Sequence, residues 1–296
     1  MKQKERIFII MIRKILLLSL LLASIIVTSE THCFGATVGN SIDLDIPAKS
    51  AILRQQVIDQ NLDQYEEAVK IKSGIDLEFV FDKDLNTTSE VTKAEVKGQW
   101  FMAKLGVDIF NRVEPYVKFG QANLQAKWRQ NDTHSIDMQS TGGFAWGLGI
   151  KGIIFEFEEV GLRLTGDIQY RTTEPDVEEI TSNGTTIVDT GAEFKIEEWQ
   201  AALVLSKKFE VPLKFQSVFI VPYTGITASD STVSTRVRDP SYPGYDITLF
   251  DANNKTLHGF LIGCDIMPSL SSSFTYNVEL RLASETALTL GGAMRF

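Results

Sequence analysis

From residue 74 to the end of the chain, apolar and polar side chains alternate with period two, the spacing of strands that present one apolar face. Ile75, Leu77, Phe79 and Phe81 oppose Asp76, Glu78, Val80 and Asp82. Residues 94–110 set Phe101, Ala103, Leu105, Val107 and Ile109 against Trp100, Met102, Lys104, Gly106 and Asp108. Residues 142–155 set Phe144, Trp146, Leu148, Ile150 and Ile154 against Gly143, Ala145, Gly147, Gly149 and Lys151. Residues 160–171 set Leu162, Leu164, Ile168 and Tyr170 against Arg163, Thr165, Asp167, Gln169 and Arg171. Residues 193–206 offer Trp199, Ala201, Leu203 and Leu205 on one face, with Glu198 on the other. Residues 257–267 place Phe260, Ile262, Cys264 and Ile266 together, and 272–283 place Phe274, Tyr276, Val278, Leu280 and Leu282 opposite Glu279 and Arg281.

Two further segments fit less cleanly. In 115–128, Tyr116 and Lys118 open a face that Ala122, Leu124, Ala126 and Trp128 continue, and a β-bulge at Gly120 would restore a single apolar face. Residues 215–228 alternate but contain Pro222, which lacks a ladder donor. With the terminal strand at 286–296, about ten strands are predicted. The connections sort into two kinds. Those near 110–114, 156–160, 207–214 and 268–271 are short, whereas three of those near 83–92, 129–141, 172–190, 229–256 and 283–286 are long. Short turns at one end and long loops at the other is the pattern of a closed up-and-down barrel in a membrane.

The terminal strand carries a more particular signal. Leu288, Leu290, Gly292, Met294 and Phe296 share one face, and Thr289, Gly291, Ala293 and Arg295 the other. Thr289, Gly291, Met294 and Phe296 fit a polar-x-Gly-x-x-apolar-x-apolar ending, which resembles the C-terminal sorting signal of bacterial outer-membrane β-barrel proteins. The whole-chain organisation also resembles small members of that superfamily, without identifying a subfamily. The resemblance implies an all-β, closed antiparallel transmembrane barrel over 74–296 in the cell outer membrane. It implies membrane lipid and the barrel-assembly machinery as partners, and a monomer.

Upstream the rhythm changes twice. Lys2, Lys4, Arg6, Arg13 and Lys14 precede the apolar run Ile15 to Val27, a basic and then apolar order that predicts a cleaved export signal over residues 1–35. Cleavage after Ser29 is the alternative; the later site also removes Cys33. In residues 47–70, Ile52, Leu53, Val57, Ile58, Leu62, Tyr65 and Val69 recur at threes and fours. That spacing predicts an amphipathic helix, or a loosely ordered arm, within a lead-in segment 36–73.

Composition adds limits. The 296 residues carry a formal charge of −9, with no basic stripe, which argues against nucleic-acid binding. Two cysteines, Cys33 and Cys264, make no disulfide framework. Trp128, Trp146, Trp199, Tyr170, Tyr223 and Tyr276 are expected in interfacial girdles.

With apolar faces toward lipid, the lumen receives Asp76, Glu78, Lys104, Asp108, Lys151, Arg163, Asp167, Arg171, Glu198, Glu279, Arg281 and Arg295. Both signs are present at comparable heights. Either the charges pair and fill the interior, or they line a narrow pore for small polar solutes. A hydrolase at the rim would need a histidine-based constellation; beyond the export signal the chain has His134 and His258, on different loops and in no family motif. No cofactor motif or metal-ligand spacing is present. Asn86, Asn131, Asn183 and Asn254 each start an Asn-x-Thr triplet in a different predicted loop, which fits turn chemistry. The longest loop carries Arg236, Arg238, Tyr242, Tyr245 and Phe250, a candidate contact surface for an extracellular ligand of unknown identity. The expectation is a non-enzymatic barrel with a structural or surface-interaction role, with the narrow pore as alternative.

Overall fold

The computed structural model describes residues 37–39, 53–59, 62–86, 91–130, 134–188, 192–213, 217–238, 246–254, 257–268, 273–282 and 285–296. Ten long strands build the wall: β1 (Leu62–Asp82), β2 (Val91–Ile109), β3 (Val113–Gln130), β4 (Gly143–Phe157), β5 (Leu162–Thr173), β6 (Ala192–Lys207), β7 (Ser217–Arg238), β8 (His258–Met267), β9 (Phe274–Leu282) and β10 (Thr286–Arg295). Each pairs antiparallel with the next in sequence. β10 then pairs back onto β1, with Leu290 opposite Leu77 and Gly291 opposite Asp76. The sheet is therefore closed, and its wall has no unpaired edge to expose to lipid.

The lower end carries the short turns, among them residues 110–112 and the 3-10 turn Glu158–Val160 followed by Gly161 at φ 64°. The upper end carries the long connections, and much of their length is itself strand. His134–Ser140, Val177–Ser182, Thr185–Val188 and Asp246–Asn254 pair with the tops of the barrel strands or with each other. Asn183 and Gly184, both at positive φ, form the two-residue turn joining two of these strands, the conformation that matches strand twist. The upper connections thus raise the wall into a second storey.

The two storeys have opposite polarity. On the outer face of β3, Val113, Val117 and Phe119 are exposed and apolar, but Gln121, Asn123, Gln125 and Arg129 follow on the same face. β2 changes at the same height: Phe101 pairs with Gln121, and above it Gln99, Lys97 and Glu95 face outward opposite Asn123, Gln125 and Lys127. On β6 the change falls between Trp199 and Glu197, and on β7 between Ala228 and Asp230. Inside, the order is reversed. The lower lumen holds the charges, and the upper interior packs Val96, Trp100, Leu124, Trp128, Met138, Ile180, Phe194, Ile196 and Val233 into one buried apolar cluster. Below the boundary the wall meets lipid and encloses polar groups; above it the wall meets water and encloses a dry core. Each large side chain in that core contributes roughly 1.5–3 kcal/mol of burial.

This inversion removes the need for a bulge at Gly120. The β3 register runs unbroken past Gly120 on both sides, and its even-numbered residues face inward from Glu114 to Trp128. Gly120 serves close approach instead: a Cβ there would lie 1.8 Å from the Phe101 carbonyl oxygen. The same inversion corrects the girdle. Trp128 lies in the upper core and Tyr223 in the lumen, while Trp146, Tyr170 and Trp199 stack side by side on the outer face, with centroids 5.6 Å and 4.9 Å apart. They mark the interfacial level at the polarity boundary.

Pro222 is accommodated within β7. The ladder to β6 ends at Ser206–Tyr223, and pairing resumes on that side with Phe209–Ile220. The missing N–H falls opposite the break. The lead-in differs from the helical expectation: Leu53–Asp59 is a strand that pairs with the start of β1, from Asp59–Leu62 to Leu53–Val69. Here a barrel strand extending downward templates its neighbour, and tertiary pairing overrides a three-and-four spacing. The barrel ladder itself begins earlier than residue 74, at Val69–Ile109 and Lys72–Arg295. The proposed export signal over 1–35 lies outside the described residues.

Candidate functional site

Among the described residues, chemistry-bearing groups converge in the lumen, and they are layered. At the bottom, Arg295 is ion-paired with Asp108 and donates to Asn111 Oδ1 at 3.3 Å; Lys70 Nζ donates to the same oxygen at 3.1 Å. Arg163 pairs with Glu156 at the lower edge. One layer up, Glu114 takes Lys72 at 2.8 Å and Lys104 at 2.5 Å, and Lys118 pairs with Asp76 at 3.2 Å. Tyr116 donates its hydroxyl to Asp167 at 3.0 Å, and Lys104 lies over the Tyr116 ring at 4.1 Å.

The tyrosines are seated by glycines. Tyr116 lies opposite Gly149 and Tyr223 opposite Gly263. A Cβ at Gly149 would come within 2.5 Å of the Tyr116 ring, and one at Gly263 within 2.1 Å of Tyr223. Each ring folds over a bare patch of wall and directs its hydroxyl at a luminal carboxylate, Asp167 or Glu279. Ring cover over an interior glycine also repairs a weak spot in a strand.

The third layer is acid-rich. Glu78 pairs with Arg171 at 3.0 Å and Arg281 at 3.1 Å; Arg171 also pairs with Glu198, and Arg281 with Glu279 at 3.2 Å and with Glu285. The Arg171 guanidinium lies 4.1 Å over the Trp100 ring, which joins this layer to the apolar core above. Glu279 is fully buried, and Glu78, Arg171 and Arg281 are 2–3% exposed.

Glu285 closes the layer from the short upper connection between β9 and β10, outside the strands. Burial pushes its carboxyl up to about 8; Glu78 and Glu198 add to the rise against the opposing pull of Arg281 and Arg171. The proton that Glu285 holds when folded therefore stabilises the barrel fully below the ordinary carboxylate value of 4.5, and that contribution is lost as pH rises through about 8. The unfolding temperature in detergent is expected to fall between pH 6 and pH 9.5. Glu285→Gln should flatten that dependence, and an unchanged slope in the variant would refute the assignment.

Three residues also lie in the lumen from a distant part of the chain. Thr37 and Val38 are buried, and Val38 packs with Ala202, Val204, Tyr223 and Leu261. Val38 N–H and Gly39 N–H donate to the two carboxylate oxygens of Glu279 at 3.1 Å and 2.7 Å. Lys118 and Gln169 donate to the Thr37 carbonyl at 3.0 Å and 3.4 Å, Lys151 donates to the Val38 carbonyl, and Thr37 Oγ1 donates to Thr289 Oγ1 at 3.1 Å. Beside them is a cavity of about 60 Å³, bordered by Lys72, Lys104, Asp76 and Asn277.

The luminal residues named from the sequence converge here, and alternation missed several partners. Lys72 and Glu114 fall outside the expected strand limits, Lys118 was obscured by the supposed bulge, and Glu285 sits in a turn. Thr289 faces this lumen, while Gly291 lies where a Cβ would come within 2.9 Å of Asp76 Oδ1. Met294 pairs with Ser73, and Phe296 is exposed at the lower rim with its N–H on the Ile71 carbonyl. His134 pairs with Gln130 beside β3, and His258 with Ala228 beside β7, so the ladder holds them on distant parts of the wall. Among the described residues no cluster of three His, Cys, Asp or Glu is placed to hold a metal ion. Arg236 is exposed on upper β7 opposite Thr248, and Arg238 and Phe250 lie on the paired strands of the same hairpin. Tyr242 and Tyr245 lie outside the described residues.

The closed wall, the outward apolar band and the aromatic level define a membrane-spanning β-barrel of ten strands. No protein-family model matches the chain, and no curated protein matches it. Among solved structures it is similar to the outer membrane protease OmpT from Escherichia coli, at 10% identity over 77% of this chain and 95% of that one, with TM-score 0.42. It is also similar to the translocator domain of the autotransporter NalP from Neisseria meningitidis, at 10% identity over 80% and 91%, with TM-score 0.38. A third is the outer membrane protein OprG from Pseudomonas aeruginosa, at 12% identity over 77% and 96%, with TM-score 0.32. At TM-scores below 0.5 these likenesses carry no functional argument.

Proposed function

We propose that this chain is a sealed, non-enzymatic barrel of the bacterial outer membrane, which holds a rigid β-walled platform above the lipid for surface contacts. The observation that carries the reading is the stacking of a dry apolar cluster directly on a buried layer of ion pairs. A conducting barrel needs a continuous wetted path, and burial of Glu279, Arg281 and Arg171 is the opposite condition. The outer-membrane location draws on the basic-then-apolar N-terminal segment, the terminal Phe296 and the short turns at the end where that residue lies. The contact role falls to the second storey, whose outer face is polar and whose hairpin carries Arg236 and Arg238.

Purified protein reconstituted in planar bilayers tests the sealed state. A heat-modifiable, folded sample is expected to give no stepwise conductance at 100 mV in 1 M KCl. Reproducible unitary steps would favour the narrow pore for small polar solutes instead.

A further inference from the structure

A groove of about 310 Å³ crosses the outer face of β1, β2 and β3 at the height where the wall passes from lipid to water. Phe79 and Phe81 border it on β1, Asn123 and Gln125 on β3, and Gln99 stands between them on β2. Two backbone features shape it. Val80 pairs with Gly98, and the Val96 N–H donates to the Lys83 carbonyl at 2.9 Å, which leaves Phe81 and Asp82 together opposite Lys97. Two residues against one is a β-bulge, which bends its strand and re-aims a side chain. At the same height Gly98 lets β2 close on β3: a Cβ there would lie 2.3 Å from the Asn123 carbonyl oxygen.

The lining sets this stretch of the boundary apart. Trp146, Tyr170 and Trp199 meet the interface with a polar tip on each ring, whereas Phe81 has none and is 54% exposed. Its surroundings on the wall are polar: Phe79 pairs with Gln99, and Gln99 with Asn123. A bare ring at this level gains from an apolar face laid against it and not from water. The amides of Gln99, Asn123 and Gln125 each offer donors and an acceptor without charge. Lys97, next above Gln99 on the same face, is paired with Glu95 at 3.2 Å. An apolar face with a neutral edge of donors and acceptors is the complement of a sugar ring, which has a C–H face and a rim of hydroxyls. Directly below, Leu77 pairs with Phe101 on the exposed apolar belt, so the groove opens onto the surface where acyl chains lie. Its volume stands at the lower end of the range for small-molecule sites, roughly 300–1,000 Å³, which suits a single sugar unit.

We propose that this groove binds the sugar headgroup of a glycolipid in the upper leaflet, with Phe81 against the C–H face of the ring and the three amides on its hydroxyls. The proposal rests on the membrane-barrel reading. Continuity with the apolar belt makes the occupant lipid-borne: the headgroup sits in the groove while the acyl chains run down over Leu77 and Phe101. The bulge and Gly98 serve the site by turning a strand crossing into a concave seat.

The test uses the mature protein, extracted from membranes in a detergent without sugar groups. It is offered equal amounts of monogalactosyl diacylglycerol, phosphatidylglycerol and phosphatidylethanolamine with matched acyl chains, and bound lipid is counted by native mass spectrometry. The galactolipid should be retained about tenfold over either phospholipid. Phe81→Ala, and separately Asn123→Leu/Gln125→Leu, should each bring that preference below about twofold while the heat-dependent gel shift stays. Both variants change exposed positions, and if one fails to fold the other carries the test. Tyr276→Ala, which removes an outward aromatic on β9, should keep the full preference. Equal retention of the three lipids, preference for phosphatidylglycerol, an unchanged preference in the groove variants, or an equal loss in Tyr276→Ala would each overturn the proposal. Displacement of the galactolipid by an equal concentration of free galactose would overturn the lipid-borne source. If those results come with a retained gel shift, the membrane barrel stands without its glycolipid seat. A wild type that shows no shift at all removes the barrel and this proposal together.

Discussion

Arg171→Met should lower the stability of the folded barrel by about 3–5 kcal/mol, the largest effect expected of any single luminal substitution. Arg171 pairs with Glu78 at 3.0 Å and with Glu198, and all three are buried. Methionine keeps an unbranched side chain beside Trp100 but leaves Glu198 without its cation and Glu78 with Arg281 alone, both under a dry core. The cost arises from those stranded charges more than from the lost attraction. Urea unfolding in detergent micelles measures it. The double variant Arg171→Met/Glu198→Gln should recover part of the loss, because one stranded charge is gone. A loss below 1 kcal/mol in the single variant would mean that water reaches this layer, and the sealed lumen would be contradicted with it.

The second large effect separates two positions six residues apart on one face of one strand. Val117 and Asn123 both point outward from β3, below and above the polarity boundary. Val117→Arg places a charge in the lipid belt and should cost roughly 2–4 kcal/mol. Asn123→Arg should cost under about 0.5 kcal/mol, as at any hydrated surface position. Equal costs would show that the boundary drawn through Phe101 and Gln121 is misplaced.

The same boundary accounts for what the sequence does and does not reveal. Period-two alternation is imposed by the pleat, so strand existence and the sorting of side chains onto two faces were legible wherever polarity followed the pleat. Phe144, Leu148 and Ile150 on β4, or Phe260 and Ile262 on β8, lie outward as their alternation predicts. Alternation does not say which medium each face meets. On β3 the inward face turns from charged to apolar above Gly120 while the pleat continues, and a rule equating apolar with lipid invents a bulge there. Trp128 is misassigned to a girdle by the same rule.

Other features lie outside what local pattern can carry. The strand Leu53–Asp59 exists because β1 extends downward to pair with it, and its own spacing reads as helix. Glu285 joins the ion-pair layer from a position just before β10, outside any strand whose alternation could place it. Contact between Val38 and Glu279 spans 241 residues of sequence and rests on main-chain donors, which have no signature in side-chain pattern. Glu279 itself was legible as a luminal charge, whereas its use as an amide acceptor was not.

The central claim is that one continuous wall crosses lipid below and encloses a dry core above. Single cysteines placed at the outward positions 113, 117, 119, 121, 123, 125 and 129, in a Cys264→Ser background and intact membranes, test it most directly. A membrane-impermeant maleimide should label 121, 123, 125 and 129 rapidly and leave 113, 117 and 119 unlabelled until the membrane is dissolved. Uniform labelling along the whole face would contradict the account, because β3 would then stand in water throughout and the barrel would not be a membrane span.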